Sequence, residues 1–479
     1  MHTQVLVLGG GPGGYAAAFF AADMGLEVTI VDRMPQLGGT CLLRGCIPSK
    51  ALLHVAKVIN ESVEMGDWGV SFGKPKIDLA AMRARKQKII NTLSGGLGTL
   101  AKKRNVRIVN GNGYFEDSNR LRIEGGDPAT HPSEGCISFE TCILATGSEP
   151  AMPAMFDIGS DRIMDSTGAL ELKDIPENLL VVGAGYIGLE MGTVYASLGS
   201  KVKVVEMMDT FLPTTDADLA RPLKKRLNKL FESIEMGTKV AGVAVKGDKV
   251  VATLEKGDDS RTEEFDRVLV CIGRRPNSAN IGLENTKVVI NKQGFVQTDN
   301  QQRTDDKAIF AIGDVIGNPM LAHKASYEGK IAVEVITGKD STFDAMAIPC
   351  VVFTDPELAW AGLTERDAKE KGIDVEVTVY PWGASGRAQA MGRPDGLTKM
   401  IIEPGTDRVL GVGIVGCGAG ELIGEATLAI EMGAVVHDMT ECIHPHPTMS
   451  ETLPHAGDAH YGVATEIYRP RRNRKQSRK

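Results

Sequence analysis

One pattern occurs twice in this chain and limits its possible folds more than any other feature. Residues 5–32 read as an apolar strand, a glycine-rich turn, an Ala-rich helix and a second strand, and residues 179–206 repeat that order. The glycines of the two turns share G-x-G-x-x-G spacing, at Gly9, Gly11 and Gly14 and at Gly183, Gly185 and Gly188. One such motif is weak evidence, but two copies in the same context predict two dinucleotide-binding units.

Each copy also ends on a carboxylate. Asp32 and Glu206 both follow the third glycine of their motif by 18 residues. In such units the glycines allow a tight turn, close approach of the pyrophosphate and helix packing, and the acidic residue bonds the ribose hydroxyls. A carboxylate repels a 2′-phosphate, and no Arg or Lys occurs in residues 207–209. The second unit is therefore predicted to take NAD rather than NADP, whereas the first suits the adenosine half of either NAD or FAD.

Further apolar runs extend the repeat and predict a third domain. Residues 141–147 and 267–273 each close on a glycine and each follow one nucleotide segment. Residues 309–314 end in Asp314, which either bonds a nucleotide hydroxyl or forms a Gly-Asp turn. Beyond residue 346 no glycine motif occurs, and the pattern predicts a separate α/β domain with strands at 349–353, 375–380, 398–402 and 409–415 and a helix at 420–432.

Composition and charge narrow the classes of protein to which this chain can belong. The chain is 42% hydrophobic and 24% charged with a formal net charge of −7, which gives no general reason to expect nucleic-acid binding. The N-terminus lacks a secretory signal, and no run reaches the roughly 18 apolar residues of a membrane helix. A cytoplasmic protein is expected, with an organelle matrix open if a transit peptide has been removed. Residues 469–479 carry seven basic side chains, and a disordered tail is predicted there.

Two of the eight cysteines stand apart. Six are scattered without a zinc or disulfide framework and are predicted to be small buried hydrophobes, at Cys136, Cys142, Cys271, Cys350, Cys417 and Cys442. Cys41 and Cys46 flank four residues, and Pro48 with 49–58 indicates a helix start there. A thiol at a helix N-terminus is stabilised as thiolate, so the pair is a candidate redox dithiol. Its alternative is a pair of buried thiols, since a structural disulfide does not suit a reducing compartment.

These motifs together resemble the pyridine nucleotide–disulfide oxidoreductases. The resemblance spans nearly the whole chain and rests on GGTC-x4-CIPSK after an N-terminal GGGPGG unit and on segments at 46–54, 144–148, 185–192, 272–277, 310–315, 320–325, 381–388 and 444–451. The IPS before Lys50 resembles the members that act on dihydrolipoamide. Glutathione-reducing members more often carry a second Lys at the Ser position, and mercuric reductases an extra C-terminal cysteine pair that this sequence lacks.

The resemblance implies an architecture and two cofactors. The fold is expected to be α/β, with two Rossmann-like dinucleotide-binding domains and a C-terminal α/β dimerisation domain. Residues 1–147 and 275–346 would bind FAD, 148–274 would bind NAD, 347–468 would form the homodimer interface, and 469–479 would be the basic tail.

The resemblance also implies roles for individual residues. Cys41 would exchange with the substrate and Cys46 would lie against the flavin, with Lys50 and Glu190 paired nearby. His446, oriented by Glu451 and supplied by the partner subunit, would be the general base. FAD would further contact Asp32, Gly39, Thr40, Lys50, Gly113, Asp314 and Ala322, and NAD would contact Glu206, Val240 and Gly273. No metal is implied.

The residues alone do not decide which histidine is the base or what the residues between the two cysteines do. His444 and His446 are equal candidates by composition, and a His among prolines is often a rigid loop residue. The sequence departs from the family pattern at Asp32, where Glu is usual, and at Leu42, Leu43 and Arg44, where Asn and Val are more frequent. Arg44 either lowers the pKa of a neighbouring thiol or simply faces water, and the second interpretation is preferred.

The implied function is oxidation of protein-bound dihydrolipoamide through the Cys41–Cys46 disulfide and FAD, with a hydride passed to NAD⁺. The expected partners are a second copy of the chain and the lipoyl domains of 2-oxoacid dehydrogenase complexes or the glycine cleavage carrier protein, with no choice among them. The alternatives are an NADH-dependent reductase of another disulfide or a metal ion, and a non-catalytic flavoprotein within a larger assembly.

Overall fold

The computed structural model describes residues 1–468. Its strands are β1 (His2–Leu8), β2 (Val28–Asp32), β3 (Arg107–Asn110), β4 (Asn112–Asp117), β5 (Arg120–Glu124), β6 (Cys136–Leu144), β7 (Ser148–Pro150), β8 (Ile163–Met164), β9 (Asn178–Val182), β10 (Lys201–Glu206), β11 (Ser233–Met236), β12 (Lys239–Lys246), β13 (Lys249–Lys256), β14 (Asp259–Phe265), β15 (Arg267–Val270), β16 (Arg274–Pro276), β17 (Ile309–Ala311), β18 (Cys350–Val352), β19 (Glu357–Gly362), β20 (Glu376–Pro381), β21 (Leu397–Ile402) and β22 (Val409–Gly416). The helices are α1 (Pro12–Asp23), α2 (Gly39–Arg44), α3 (Cys46–Glu64), α4 (Leu79–Lys103), α5 (Ser166–Glu171), α6 (Tyr186–Leu198), α7 (Ala217–Leu230), α8 (Ala322–Ile336), α9 (Glu365–Lys371), α10 (Gly386–Ala390), α11 (Ala419–Glu431), α12 (Val436–Thr440) and α13 (Thr452–Tyr461).

The first sheet contains the first glycine motif. Its order is β3-β2-β1-β6-β5-β4, and β17 pairs with the end of β6. The strands β3, β2, β1, β6 and β17 run parallel, and α1 packs on them against α8. Because β17 follows the second glycine motif in the chain, this sheet is built from two separated segments. That arrangement agrees with the predicted first domain, whose boundaries remain a prediction.

The second sheet contains the second glycine motif. It is wholly parallel, in the order β11-β10-β9-β15-β8, with the antiparallel sheet β12-β13-β14 beside it. The short antiparallel pair β7 and β16 lies where the chain passes between the two units. Apolar residues of β9, β10 and β15 are fully buried, as parallel strands covered on both faces require.

The C-terminal part folds around an antiparallel sheet. Its order is β18-β19-β22-β21-β20, with α11 packed on β19 and β22 and α13 packed on β20 and β21. The four predicted strands and the predicted helix are present. β19 was not predicted, because its sequence ELAWAG mixes Ala and Gly into the run and lacks a clear alternation.

The α/β fold class is confirmed. No described helix combines the length and the apolarity that crossing a bilayer would need. The disordered tail predicted at 469–479 lies outside the described residues.

A buried lysine joins the second unit to the C-terminal part. Lys399 of β21 is 1% exposed, and its ammonium lies 2.9 Å from Asp216, 2.9 Å from Asp218 and 2.5 Å from Glu365. Asp216 also accepts backbone amide hydrogens from Glu365 and Arg366, which fixes α9 next to α7. The three carboxylates form the one acidic cluster of metal-binding size in the described chain, and the lysine ammonium is their counterion.

We expect Lys399→Met to lower the free energy of unfolding by about 3 kcal/mol, because it leaves carboxylates together without their cation. Urea unfolding of the FAD-loaded protein measures this. Lys369→Met, at an exposed site on α9, is the matched control and should change stability by less than about 0.5 kcal/mol. Equal stability of the two variants would contradict a structural role for Lys399.

Candidate active site

The first glycine turn forms a cradle for a diphosphate. Gly9 has φ 112°, and a Cβ there would overlap the carbonyl group of Ala145, which directly follows the neighbouring strand β6. A Cβ on Gly14 would overlap the Gly9 carbonyl oxygen, so this glycine lets α1 pack against β1. At Gly11, the N-cap of α1, the nearest atom to a Cβ would be 3.8 Å away. The space in front of Gly11 and the free amides of α1 therefore fit a dinucleotide pyrophosphate.

The two carboxylates that end the repeated units accept equivalent hydrogen bonds from backbone amides. Asp32 accepts hydrogen bonds from the amide of Gly10 and, at 2.6 Å, from the amide of Met34. Glu206 accepts from the amides of Ala184 and Met208, both at 2.9 Å. The shorter Asp32 thus reaches the glycine turn as Glu206 does. Burial raises the pKa of Asp32, although the two amide hydrogen bonds oppose that shift.

A cavity of about 660 Å³ opens from the first cradle. It is lined by most of the residues predicted for the flavin and dithiol site: Gly9, Gly11, Asp32, Gly39, Thr40, Cys41, Cys46, Lys50, Gly113, Glu190, Asp314 and Ala322. They come from both nucleotide-binding units, since Glu190 lies on α6. The glycine motif already grouped Gly9, Gly11 and Asp32, but the sequence placed the others with them only through the family resemblance. The tertiary structure brings all of them to one cavity.

Asp314 lies in that cavity and also in a turn. The segment Gly313–Ile316 is a 3₁₀ turn, so the Gly-Asp turn and the cavity position are both present. The hydroxyl of Ser148 donates to the Asp314 carboxylate, and the guanidinium of Arg274 donates to the Ser148 hydroxyl at 2.7 Å. Sequence reasoning missed Ser148 and Arg274 as site residues. The available signal was that they lie within or beside the motifs LATGS and IGRRPN.

Cys41 and Cys46 occupy adjoining helices at the cavity wall. Cys41 lies in the short helix α2, and Cys46 is the first residue of α3, two residues before Pro48. The proline is tolerated because amides of the first helical turn have no intrahelical acceptor. Both thiols are free in this structure. The prediction of a thiol at a helix N-terminus is confirmed for Cys46, and the linker between the cysteines is helical rather than an open loop.

The two thiols differ in acidity. The hydrogen bond from Cys41 lowers the pKa of Cys46 to about 7, against the effect of burial and with help from the charge of Lys50. The same hydrogen bond, together with burial, raises the pKa of Cys41. Cys46 is therefore the thiolate of the reduced pair and Cys41 its hydrogen-bond donor. A dithiol of this kind is typical of redox-active rather than structural cysteines.

Lys50 and Glu190 form an ion pair beside the dithiol. The Lys50 ammonium lies 3.2 Å and 2.9 Å from the two carboxylate oxygens of Glu190, whose side chain is 4% exposed. Glu190 also accepts the amide of Phe353 at 3.0 Å, and the Lys50 ammonium lies 4.4 Å from the centre of the Phe353 ring. Lys50 is one helical turn after Cys46, so its position on α3 places its charge near that sulfur.

The second glycine motif repeats the cradle at a separate place. Gly183 has φ 103°, and a Cβ on Gly188 would overlap the Gly183 carbonyl, as in the first motif. Gly185 has open space before it, and so does Gly273, which follows β15 next to β9. Val240 lies on β12, with its side chain partly buried against the core of this unit. These glycines and Glu206 fit a second dinucleotide with free ribose hydroxyls.

The structure distinguishes the two candidate histidines. His444 is 10% exposed, with one ring nitrogen 2.8 Å from Glu425 and the other 2.9 Å from the carbonyl of Cys442. His446 is 78% exposed, and its Nδ1 lies 2.9 Å from Glu451. The Nε2 of His446 makes no hydrogen bond to residues 1–468, so it can accept a proton. Neither histidine lines the cavity of the dithiol within the described chain.

Glu451 is held as a carboxylate. Burial raises its pKa, but the hydrogen bonds from the Thr448 amide at 2.7 Å and from His446 outweigh burial, and the net pKa is lowered. A charged Glu451 orients the imidazole and favours the tautomer with its proton on Nδ1. The predicted pairing of His446 with Glu451 is therefore present.

Comparison with known proteins gives the same result along the whole chain. Residues 3–329 match the family model for pyridine nucleotide-disulphide oxidoreductases, and residues 348–457 match that family's dimerisation domain. A dihydrolipoyl dehydrogenase of Vibrio parahaemolyticus is 48% identical over 98% of this chain and 97% of its own, and one of Geobacillus stearothermophilus is 40% identical over 98% of both chains. Among solved structures, LpdA from Mycobacterium tuberculosis has a TM-score of 0.86 at 27% identity, covering 95% of this chain and 99% of that one. The flavoprotein disulfide reductase RclA from Escherichia coli has a TM-score of 0.82 at 27% identity, covering 94% and 98%.

We expect Lys50→Met to raise the pKa of Cys46, because it removes a cation that favours the thiolate. About half of Cys46 should be thiolate at pH 7 in the reduced wild type, and much less in the variant. The pH dependence of iodoacetamide labelling of the Cys46 peptide, read by mass spectrometry, measures the shift. Lys50→Arg should keep a titration near neutral pH, and Lys74→Met, an exposed lysine away from the cavity, should match the wild type. An unchanged profile in Lys50→Met would show that Lys50 does not act on the thiol.

Proposed function

The chain belongs to the pyridine nucleotide-disulphide oxidoreductase family, and we propose that it acts as a dihydrolipoyl dehydrogenase. In this reaction a dithiol substrate is oxidised to its cyclic disulfide and NAD⁺ is reduced to NADH. The observation that carries the proposal is the dithiol of unequal acidity, Cys41 and Cys46, in a cavity that begins at a dinucleotide cradle. Relatives of 40–48% identity over nearly the full chain carry the same name.

The protein uses FAD and NAD, as its family does. FAD would be held by the first cradle and its cavity, and NAD by the second cradle, where Glu206 favours free ribose hydroxyls. When bound, FAD accepts the electron pair of the reduced dithiol and supplies the hydride that reduces NAD⁺. The residues of the chain hold these groups, orient the substrate thiols and handle the protons.

The dithiol chemistry begins with a Cys41–Cys46 disulfide. His446 removes a proton from one thiol of dihydrolipoamide, because only a thiolate attacks a disulfide. That thiolate attacks the sulfur of Cys41, and the bond to Cys46 breaks. The substrate sulfur and Cys41 are then joined in a mixed disulfide, and Cys46 leaves as a thiolate.

The second half of the exchange restores the substrate ring. The second substrate thiol loses its proton and attacks the other substrate sulfur, the one joined to Cys41 in the mixed disulfide. The bond between that sulfur and Cys41 breaks, lipoamide is released, and Cys41 takes up the proton. The Cys41 thiol then donates its hydrogen bond to the Cys46 thiolate. The low pKa of Cys46 makes it the better leaving group, which explains why the attack is on Cys41. Lys50 stabilises the thiolate, and Glu190 holds the lysine in place.

In a homodimer, His446 could act on the dithiol of the partner subunit, whereas it does not line the dithiol cavity of its own chain within residues 1–468. The dimerisation domain supports a dimer of identical chains. His446 is exposed on this domain, is oriented by Glu451 and is absent from the wall of its own chain's dithiol cavity within residues 1–468. We therefore assign it to the dithiol of the other subunit. The carrier of dihydrolipoamide would be a lipoyl domain of a 2-oxoacid dehydrogenase complex or of the glycine cleavage system.

Cys41→Ser and Cys46→Ser should each lower dihydrolipoamide-dependent NADH formation by at least about 10³-fold, because either change prevents the disulfide from forming. NADH is followed by its absorbance, and bound FAD is measured after gel filtration. FAD should stay bound in both variants, and Cys350→Ser, at a thiol outside the site, should keep wild-type turnover. Near-normal turnover in either dithiol variant would refute the proposed function, and activity with another disulfide or a metal ion but none with dihydrolipoamide would identify a different substrate.

His446→Gln should lower the lipoamide half-reaction by about 10²- to 10⁴-fold, as expected for loss of a general base, while NADH still reduces the enzyme. Stopped-flow measurement of the two half-reactions separates these effects. His444→Gln is the matched control, since its imidazole is engaged by Glu425. Equal loss of both half-reactions in His446→Gln would mean a structural role.

Mixing two inactive variants tests the contribution across the dimer. If His446 serves the partner subunit, a dimer of Cys46→Ser and His446→Gln chains has one complete site. Random subunit exchange should then restore about a quarter of wild-type activity. No recovery after exchange, verified by a tag on each chain, would place the base and the dithiol in the same subunit.

A further inference from the structure

Arg44 is a charged residue without a bonded partner at the edge of the dithiol. It ends helix α2, between Cys41 and Cys46. Its side chain is half-buried in the wall of the 660 Å³ cavity rather than on the outer surface. It is not among the charges that act on either thiol, so the interpretation that it lowers the pKa of a thiol has no support. Within residues 1–468 its guanidinium makes neither a hydrogen bond nor an ion pair.

The surroundings of Arg44 do not neutralise it. Burial lowers the pKa of Arg44, and the nearby cation of Arg33 lowers it further. The charges of Asp32 and Asp165 oppose this shift without bonding to Arg44: Asp32 accepts two backbone amides, and Asp165 caps α5 through a 2.8 Å bond to the amide of Gly168. A partly buried cation that has a like charge beside it and no bonded counterion would be stabilised by a bound anion.

The first cavity is the better place for that anion. Arg44 shares its wall with Gly11, Gly39 and Thr40, where the turn and the α1 amides fit a diphosphate. A second cavity, of about 470 Å³, also touches Arg44. Acidic and basic side chains line both cavities, but the glycine turn at the N-terminus of α1 lines only the first. The free amides there bind phosphate oxygens, so the cradle is the place for an anion.

We propose that Arg44 binds the diphosphate of FAD and anchors the segment between the two cysteines to the cofactor. The inference rests on FAD in the first cavity, which is part of the proposed function. A planar guanidinium makes two parallel charge-assisted hydrogen bonds to phosphate oxygens. Since Arg44 is two residues before Cys46, the same contact would restrain the position of the dithiol.

The proposal is tested by FAD release from the holoenzyme, measured as the rise of flavin fluorescence on dilution. Arg44→Met should release FAD about 10- to 100-fold faster than the wild type at low salt. Raising KCl from about 20 mM to about 500 mM should speed release from the wild type and have much less effect on the variant. Arg44→Lys keeps the positive charge but cannot make two parallel hydrogen bonds to a phosphate. FAD release from this variant should therefore be intermediate in rate and still salt-dependent.

Two controls separate the possible causes. Arg85→Met removes an exposed guanidinium of α4 outside both cavities and should match the wild type. With FAD in excess, Arg44→Met should bind FAD to the same stoichiometry as the wild type, measured by quenching of flavin fluorescence, which shows that the variant is folded and that its glycine cradle is intact. A wild-type protein that held no FAD would instead overturn the proposed function itself.

Three results would overturn the inference. Unchanged FAD release in Arg44→Met is one. Faster release with the wild-type response to salt would mean that Arg44 acts by packing alone. The third is equal FAD release in the two proteins together with stabilisation by inorganic phosphate of the wild type but not of Arg44→Met. That result would assign Arg44 to a separate anion site. If Arg44→Met fails to fold, Arg44→Gln takes its place, and a wild-type response to salt in that uncharged variant would again mean that Arg44 acts by packing alone.

Discussion

The ion pair between Lys50 and Glu190 is the contact on which the site depends. Glu190 is buried on α6 of the second nucleotide-binding unit, Lys50 lies on α3 of the first, and the amide of Phe353 from the C-terminal part bonds the same carboxylate. A buried carboxylate is costly unless it is paired and hydrogen-bonded, so this one joins all three parts of the chain. The pair also places a cation one helical turn from Cys46. Assembly of the domains and acidity of the thiol therefore depend on one interaction.

The dithiol works because its two sulfurs are unequal. Cys46 gains from the hydrogen bond of Cys41 and the charge of Lys50, whereas Cys41 is more difficult to ionise. In the proposed mechanism this difference directs the substrate to Cys41 and makes Cys46 the leaving group. The proposed base, His446, is separate from the dithiol in the chain and in the described structure, and in the proposed mechanism a dimer brings both to one substrate. Arg44 adds a charge at the cofactor side of the same segment.

Much of the fold and part of the site were predictable from local pattern. The two glycine motifs, their strands and their terminal carboxylates are read from residues within 28-residue segments. Local steric limits explain this, because a positive φ at Gly9 or a Cβ at Gly14 affects neighbours that the motif itself supplies. β19 was missed because its pairing with β22, rather than its own composition, makes it a strand. Ser148 and Arg274 were missed because their role depends on contact with Asp314, far away in sequence.

The sequence by itself determined two nucleotide-binding units, a preference for NAD at the second, and a pair of cysteines at a helix start. These follow from spacing and residue type within short segments. Only the tertiary structure makes the two cysteines unequal, since it lowers the pKa of Cys46 and raises that of Cys41 through their mutual hydrogen bond, and it places Lys50 beside Cys46. It also separated His446 from His444 by their carboxylate partners, and it placed Arg44 in the cavity wall rather than on the outer surface. Acidity, exposure and unpaired charge are set by groups that folding brings together from distant positions.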